Sequence, residues 1–179
     1  MDEANTQGCR LDRDSRVAHP ARSAYDSGMD LAEIMATTFA VVSPTATLAD
    51  ASRRMLDVDT GAAAVVEGDA LVGMISERDL LRVFRDGGSP DQLVDERMTR
   101  DVLAASPSTA VPEAMAIMVD GKFRHLPVVK DGRVVGMISM RDLMAWASLT
   151  IRSGGHSELD EVDTAELLAT INRMRTGAA

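Results

Sequence analysis

Val72-Gly73-Met74-Ile75-Ser76-Glu77-Arg78-Asp79-Leu80 returns 63 residues later as Val135-Gly136-Met137-Ile138-Ser139-Met140-Arg141-Asp142-Leu143, identical at eight of nine positions. The same shift lays Met35 on Met98, Ser43-Pro44 on Ser106-Pro107, Ala51 on Ala114 and Met55 on Met118. It also lays Asp57 on Asp120 and Val65-Val66 on Val128-Val129. Sixteen of the 46 pairs from 35 to 80 match without a gap. The chain therefore carries two copies of one unit.

Each copy reads as β-α-β-β-α. A short extended piece (Ala40 to Ser43; Leu103 to Ser106) runs into Pro44 or Pro107, which holds its predecessor extended. A helix follows, with Thr47 as N-cap and Asp50 three residues on. Ala110 replaces that threonine in the second copy, so Thr109 or Ser108 is expected to cap instead. Two apolar runs then flank Glu67-Gly68-Asp69, or Lys130-Asp131-Gly132, turn chemistry for a hairpin. Ser76 and Ser139 stand at the N-cap of a last helix carrying Leu80, Leu81 and Phe84, or Leu143, Met144 and Ala147. One such unit buries too little surface to stand comfortably alone. Two copies packed sheet to sheet about a pseudo-two-fold axis are the expected α/β (α+β) architecture, with equivalent clefts between them. The expected boundaries are 1–28 for a flexible N-terminal arm, 29–88 and 89–147 for the repeats, and 148–179 for a linker and C-terminal helix. That helix is amphipathic, with Leu159, Val162, Leu168, Ile171 and Met174 on one face.

Composition narrows the function. The 179 residues are 45% hydrophobic with a net charge of −9, a balance that suits a packed protein and not a phosphate-backbone binder. Five aromatic residues are too few for a base-stacking platform, so no nucleic-acid partner is expected. Cys9 is alone, and His19, His125 and His156 share no ligand spacing, so no metal site is expected. No phosphate-binding glycine loop or nucleophile-elbow motif is present, and no catalytic residue is assigned. The acidic start and the lack of a long apolar run point to the cytoplasm and away from a membrane.

The repeated Gly-Met-Ile-Ser-x-Arg-Asp is the stretch with chemistry in it. A strand delivers its backbone to a helix N-terminus, where amides and a hydroxyl can meet an anion. A carboxylate follows three residues on. Serine toward phosphate and aspartate toward a ribose diol is one division of labour; serine as plain cap and aspartate as favourable first-turn charge is the other.

Together with Val42-Ser43-Pro44, the helical start Leu48 to Ala51 and Arg124-His125-Leu126-Pro127-Val128-Val129, these stretches resemble a tandem pair of CBS domains, the Bateman module, over about residues 29–147. The resemblance implies clefts that take adenosyl ligands such as AMP, ADP, ATP, S-adenosylmethionine or NAD, or in some members cyclic dinucleotides. It also implies a homodimer. It assigns Asp79 and Asp142 to ribose hydroxyls, and Ser76, Arg78, Ser139 and Arg141 to the neighbourhood of phosphate. The base would meet the backbone at Val42, Ser43, Ala105 and Ser106, and Arg124 and His125 match a basic pair that approaches phosphate. No cofactor is required; an adenine nucleotide would be a regulatory ligand, and the protein target is unknown.

The copies differ where it matters. Beneath Arg124-His125-Leu126-Pro127 the first copy has Gly61-Ala62-Ala63-Ala64, and beneath Lys122 it has Asp59. Only one cleft should receive the basic residues, and that cleft should favour ligands with more phosphate charge. His125, with an ordinary pKa near 6.5, would add a preference for lower pH. Two functions fit: a stand-alone regulatory module that binds adenosine-type ligands and signals to a partner, or a structural or stress-response interaction protein that keeps the fold and binds no nucleotide.

Overall fold

The computed structural model describes residues 29–152; the expected N-terminal arm and C-terminal amphipathic helix lie outside the described residues. A short helix α1 (Leu31–Ile34) precedes the first unit, β1 (Ala40–Val42), α2 (Leu48–Asp57), β2 (Ala62–Glu67), β3 (Ala70–Ser76) and α3 (Glu77–Arg85). A 3-10 turn (Val94–Glu96) leads into the second, α4 (Val111–Gly121), β4 (His125–Lys130), β5 (Arg133–Ser139) and α5 (Met140–Arg152). The β-α-β-β-α order stands in the first copy. In the second, the expected strand at 103–106 shrinks to one parallel bridge, Ala105 to Val128. Ala105 donates to Pro127 O (3.0 Å) and accepts from Val129 N (2.8 Å). The next step of that ladder would need the amide of Pro127, which has no N–H to give.

Helix α2 starts as its sequence demands. Thr47 Oγ1 accepts from Asp50 N (3.1 Å) and Asp50 Oδ2 accepts from Thr47 N (3.1 Å). For α4 neither expected residue caps: Ala110 is the N-cap and offers no side chain, and Thr109 Oγ1 is turned back to accept from Ser106 N (3.0 Å). The first amide of α4, on Val111, instead donates to Met29 O (3.1 Å), a residue from ahead of the first repeat. Both hairpins turn through left-handed backbone, Gly68 (φ 61°) in one and Asp131 (φ 52°) with Gly132 (φ 78°) in the other.

The strands form one sheet in the order β1-β2-β3-β5-β4. The two halves do not stack face to face there; they meet edge to edge through a single antiparallel pair, Ala70 with Arg133. These residues are each other's repeat equivalents, so the pseudo-two-fold axis passes through the pair. Arg133 also reaches across to Asp69 (2.8 Å).

Each half has its own core, and each core includes the leading segment of the other repeat. Leu31 and Ile34 are buried with Leu126, Ile138 and Leu143 of the second repeat. Their counterpart Val94 is buried with Leu48, Val65 and Ile75 of the first. Leu31 N donates to Thr109 O (2.9 Å), as Val94 N donates to Ala46 O (2.9 Å). Ala36 then bridges Met137, as Thr99 bridges Met74. This crossing explains the repeated glycine. A methyl on Gly136 would lie 2.5 Å from Met35 Sδ and 3.2 Å from Ala36 O; one on Gly73 would lie 2.5 Å from Met98 Sδ and 3.0 Å from Thr99 O.

Candidate functional site

Where the crossing segment leaves Ala36 and runs toward β1, it passes over an open cleft of about 290 Å³ between the repeats. The second repeat supplies Ser139, Arg141 and Asp142 from the β5–α5 junction, and Arg124 and His125 from the start of β4. Strand register joins these two groups, because His125 lies directly opposite Ser139 in the β4–β5 ladder. From the first repeat come Asp59, Thr60 and Gly61 after α2, and Glu77 at the head of α3. Thr38 and Phe39 complete the lining.

Five of the sequence-selected residues thus share one cleft, and Asp142 is the aspartate that accompanies Arg124 and His125. Asp142 is only 3% exposed. Its Oδ2 accepts from Ser139 N (2.8 Å) and Ser139 Oγ (2.7 Å), so the carboxylate is held in place by the cap it forms. Ser76, Arg78 and Asp79 stand at the corresponding head of α3, away from this lining. Asp79 Oδ2 accepts from Ser76 N (2.9 Å) and Ser76 Oγ (2.6 Å), and its Oδ1 accepts from Arg82 Nη1 (2.7 Å).

Val42 and Ala105 are buried, in strand pairing with Val65 and Val128. The Ser43 hydroxyl bonds Thr45 Oγ1 (2.9 Å) and that of Ser106 bonds Ser108 Oγ (2.9 Å). None of these four lines the cleft; the stretch that does is Thr38-Phe39, a few residues upstream. Lys122 is absent from the lining as well, while its repeat counterpart Asp59 is present. Both hold the same left-handed turn, φ 55° and 48°.

His125 does not behave as an ordinary histidine. Burial, with Arg124 and Arg141 nearby, outweighs the pull of Asp142 and drives its pKa down to about 4. The ring is neutral at pH 7, which corrects the expectation of a group titrating near 6.5. Beside it a methyl on Gly61 would meet Glu77 Oε2 at 2.8 Å and His125 Cε1 at 3.2 Å. A glycine is therefore what lets a carboxylate of one repeat and an imidazole of the other converge. Sequence reasoning missed Glu77, although its position is the one mismatch in the nine-residue repeat.

Residues 31–86 and 94–148 each match the CBS domain. The chain belongs to the CBS-domain family. It is 32% identical over 112 residues to the CBS domain-containing protein YhcV of Bacillus subtilis, covering 62% of this chain and 80% of that one. The structure of a CBS-domain containing protein from Agrobacterium tumefaciens is 31% identical with a TM-score of 0.57, over 60% of this chain and 83% of that one. A CBS domain protein from Pyrobaculum aerophilum, solved in complex with AMP, shares the fold at 22% identity with a TM-score of 0.64, over 72% of this chain and all of that one. Among the described residues no helix is long and apolar enough to cross a membrane, and no group of histidine, cysteine and carboxylate side chains could hold a metal ion.

Proposed function

We propose that this protein is a regulatory module that takes an adenosine-type ligand in the Asp142 cleft and passes its occupancy on to a partner protein. The observation that carries the reading is the meeting, in one cleft, of a buried capping carboxylate, a helix N-terminus and two arginines. Asp142 would accept the ribose hydroxyls, Ser139 and Arg141 would face the 5′ substituent, Arg124 would add charge at the mouth, and Thr38-Phe39 would border the base. The AMP complex of the Pyrobaculum relative supports that choice of ligand class. Regulation follows if two arrangements of the repeats bind the ligand unequally. The role is binding and not catalysis, and the site of action is the cytoplasm.

A homodimer is part of the proposal. Leu81 and Phe84 on α3 and Met144 on α5 are 68, 84 and 64% exposed, large apolar side chains that a second copy would cover. Light scattering that returns a mass near 19 kDa would refute it.

A thermal-shift screen with AMP, ADP, ATP, NAD, S-adenosylmethionine and cyclic dinucleotides, after removal of co-purified ligand, tests the function. A ligand at 100 times its Kd adds about 2.7 kcal/mol of stability and raises Tm by several degrees. A flat screen overturns the reading in favour of an interaction protein that binds no nucleotide.

A further inference from the structure

The same cleft carries more acid than a polyphosphate site should. Its second-repeat side brings two cations, Arg124 and Arg141, and its first-repeat side brings two carboxylates, Asp59 and Glu77. All four are exposed to solvent at the cleft. Glu77 stands where it opposes an incoming anion. Its amide donates to Gly61 O (3.0 Å), and its carboxylate converges with the His125 ring over the bare α-carbon of Gly61. In the other copy, Met140 stands where Glu77 does, Lys122 where Asp59 does, and Arg124 and Ala62 where Gly61 and His125 do. The acids are thus particular to the cleft that holds Asp142.

Resting on the nucleoside reading above, we propose that Glu77 and Asp59 make the Asp142 cleft select adenosyl ligands whose 5′ substituent carries no more negative charge than a monophosphate, and reject nucleoside triphosphates. A monophosphate or a zwitterionic amino-acid side arm can meet the arginines without crowding the carboxylates. A triphosphate extends further negative charge toward them. In partly screened surroundings, a unit charge about 6 Å from a carboxylate shifts affinity about tenfold. Glu77 acts here as a specificity residue, on the charge of the ligand and not on its adenosine.

Calorimetry of AMP, ATP and S-adenosylmethionine on wild type, Glu77→Gln and Asp59→Asn decides it. The asparagine suits the left-handed backbone at 59, so that variant keeps its turn. In wild type, ATP is expected to bind at least tenfold more weakly than AMP. In Glu77→Gln the ATP-to-AMP affinity ratio should rise about tenfold, while the cationic S-adenosylmethionine loses affinity; Asp59→Asn should do the same to a smaller degree. Opposite movement of ATP and S-adenosylmethionine cannot come from a damaged fold. Ligands that bind but respond alike in both variants, or a wild type that holds ATP as tightly as AMP, overturn the inference and leave the nucleoside reading standing. Failure of all three ligands to bind wild type removes both.

Discussion

Asp79 and Asp142 occupy the same place in two copies of one motif, yet they are set up for different work. Each binds back to the serine three residues before it, Ser76 or Ser139, and so closes the first turn of its helix. Beyond that cap the surroundings part. Asp79 is gripped by Arg82, and the strand opposite Ser76 offers Ala62. Asp142 has Ala145 in place of that arginine, the strand opposite Ser139 offers His125, and Arg124 and Arg141 stand by. A carboxylate can therefore be a structural cap in both repeats and face a cleft in only one. What decides its role is the neighbours that a single motif does not contain.

The largest effect that tests this comparison concerns the crossing segment and not the motif. Leu31 opens the first repeat but is fully buried in the core of the second. Leu31→Ala should cost about 2–5 kcal/mol, the usual range for emptying such a site. Hydrogen exchange should show the loss first at Ile138 and Leu126. Protection lost first around Ile75 and Val65 would mean that each half keeps its own leading segment.

Next in size is the ribose contact. Losing a charge-assisted hydrogen bond costs about 1.5–3 kcal/mol, so Asp142→Ala should weaken AMP about tenfold to more than a hundredfold. Asp79→Ala should leave that isotherm in place. Both variants give up a cap worth about 1 kcal/mol, so their melting curves should move together while their isotherms do not. Equal isotherms from the two variants would erase the distinction drawn above.

Much of this was legible in the chain alone, because the repeat is strict and its hairpins and caps are local. Thr47, Ser76 and Ser139 sit where the capping pattern puts them. The second copy's first strand was not legible as lost, although Pro127, which removes the donor its ladder needs, is plain in the sequence. Nor was the exchange of Leu31 and Val94, which is a long-range choice between two chemically similar cores. The cleft itself was half legible. Residues from the duplicated motif were found, whereas Glu77, Gly61 and Thr38 come from places where the copies disagree or where nothing repeats. Identity between the copies reports the shared scaffold; their differences mark where the cleft was built.

The neutral imidazole provides a third test. With a folded pKa of about 4 against about 6.5 when unfolded, His125 takes up its proton first in the unfolded chain. Stability that is intact above pH 6.5 should fall as pH drops toward 4, by at most about 3 kcal/mol after allowance for solvent screening. His125→Gln should flatten that part of the curve. A phosphate placed against the ring would raise its pKa, so going from pH 7 to pH 5 should favour AMP binding more in wild type than in the variant, where the His125 proton is gone and the ligand's own phosphate still titrates. An unchanged pH dependence of AMP affinity in His125→Gln would separate His125 from the phosphate.

The smallest expected effect bears on Asp79 at the head of α3. Arg82 holds Asp79 Oδ1 at 2.7 Å, but the arginine side chain is 57% exposed, and such pairs are worth at most about 1 kcal/mol. A ligand diol competing for Asp79 must displace that contact, so Arg82→Ala should strengthen adenosine binding at Asp79 by no more than about fivefold. The reciprocal change cannot be made cleanly, because Ala145 is fully buried in the second core and an arginine there would carry an unpaired charge inward. Arg82→Ala therefore needs the background Asp142→Ala, which silences the Asp142 cleft and leaves binding at Asp79 visible. Calorimetry of AMP on that double variant should show a site a few-fold tighter than on Asp142→Ala alone. Two superimposable isotherms would mean that Arg82 does not hold Asp79 back from a ligand.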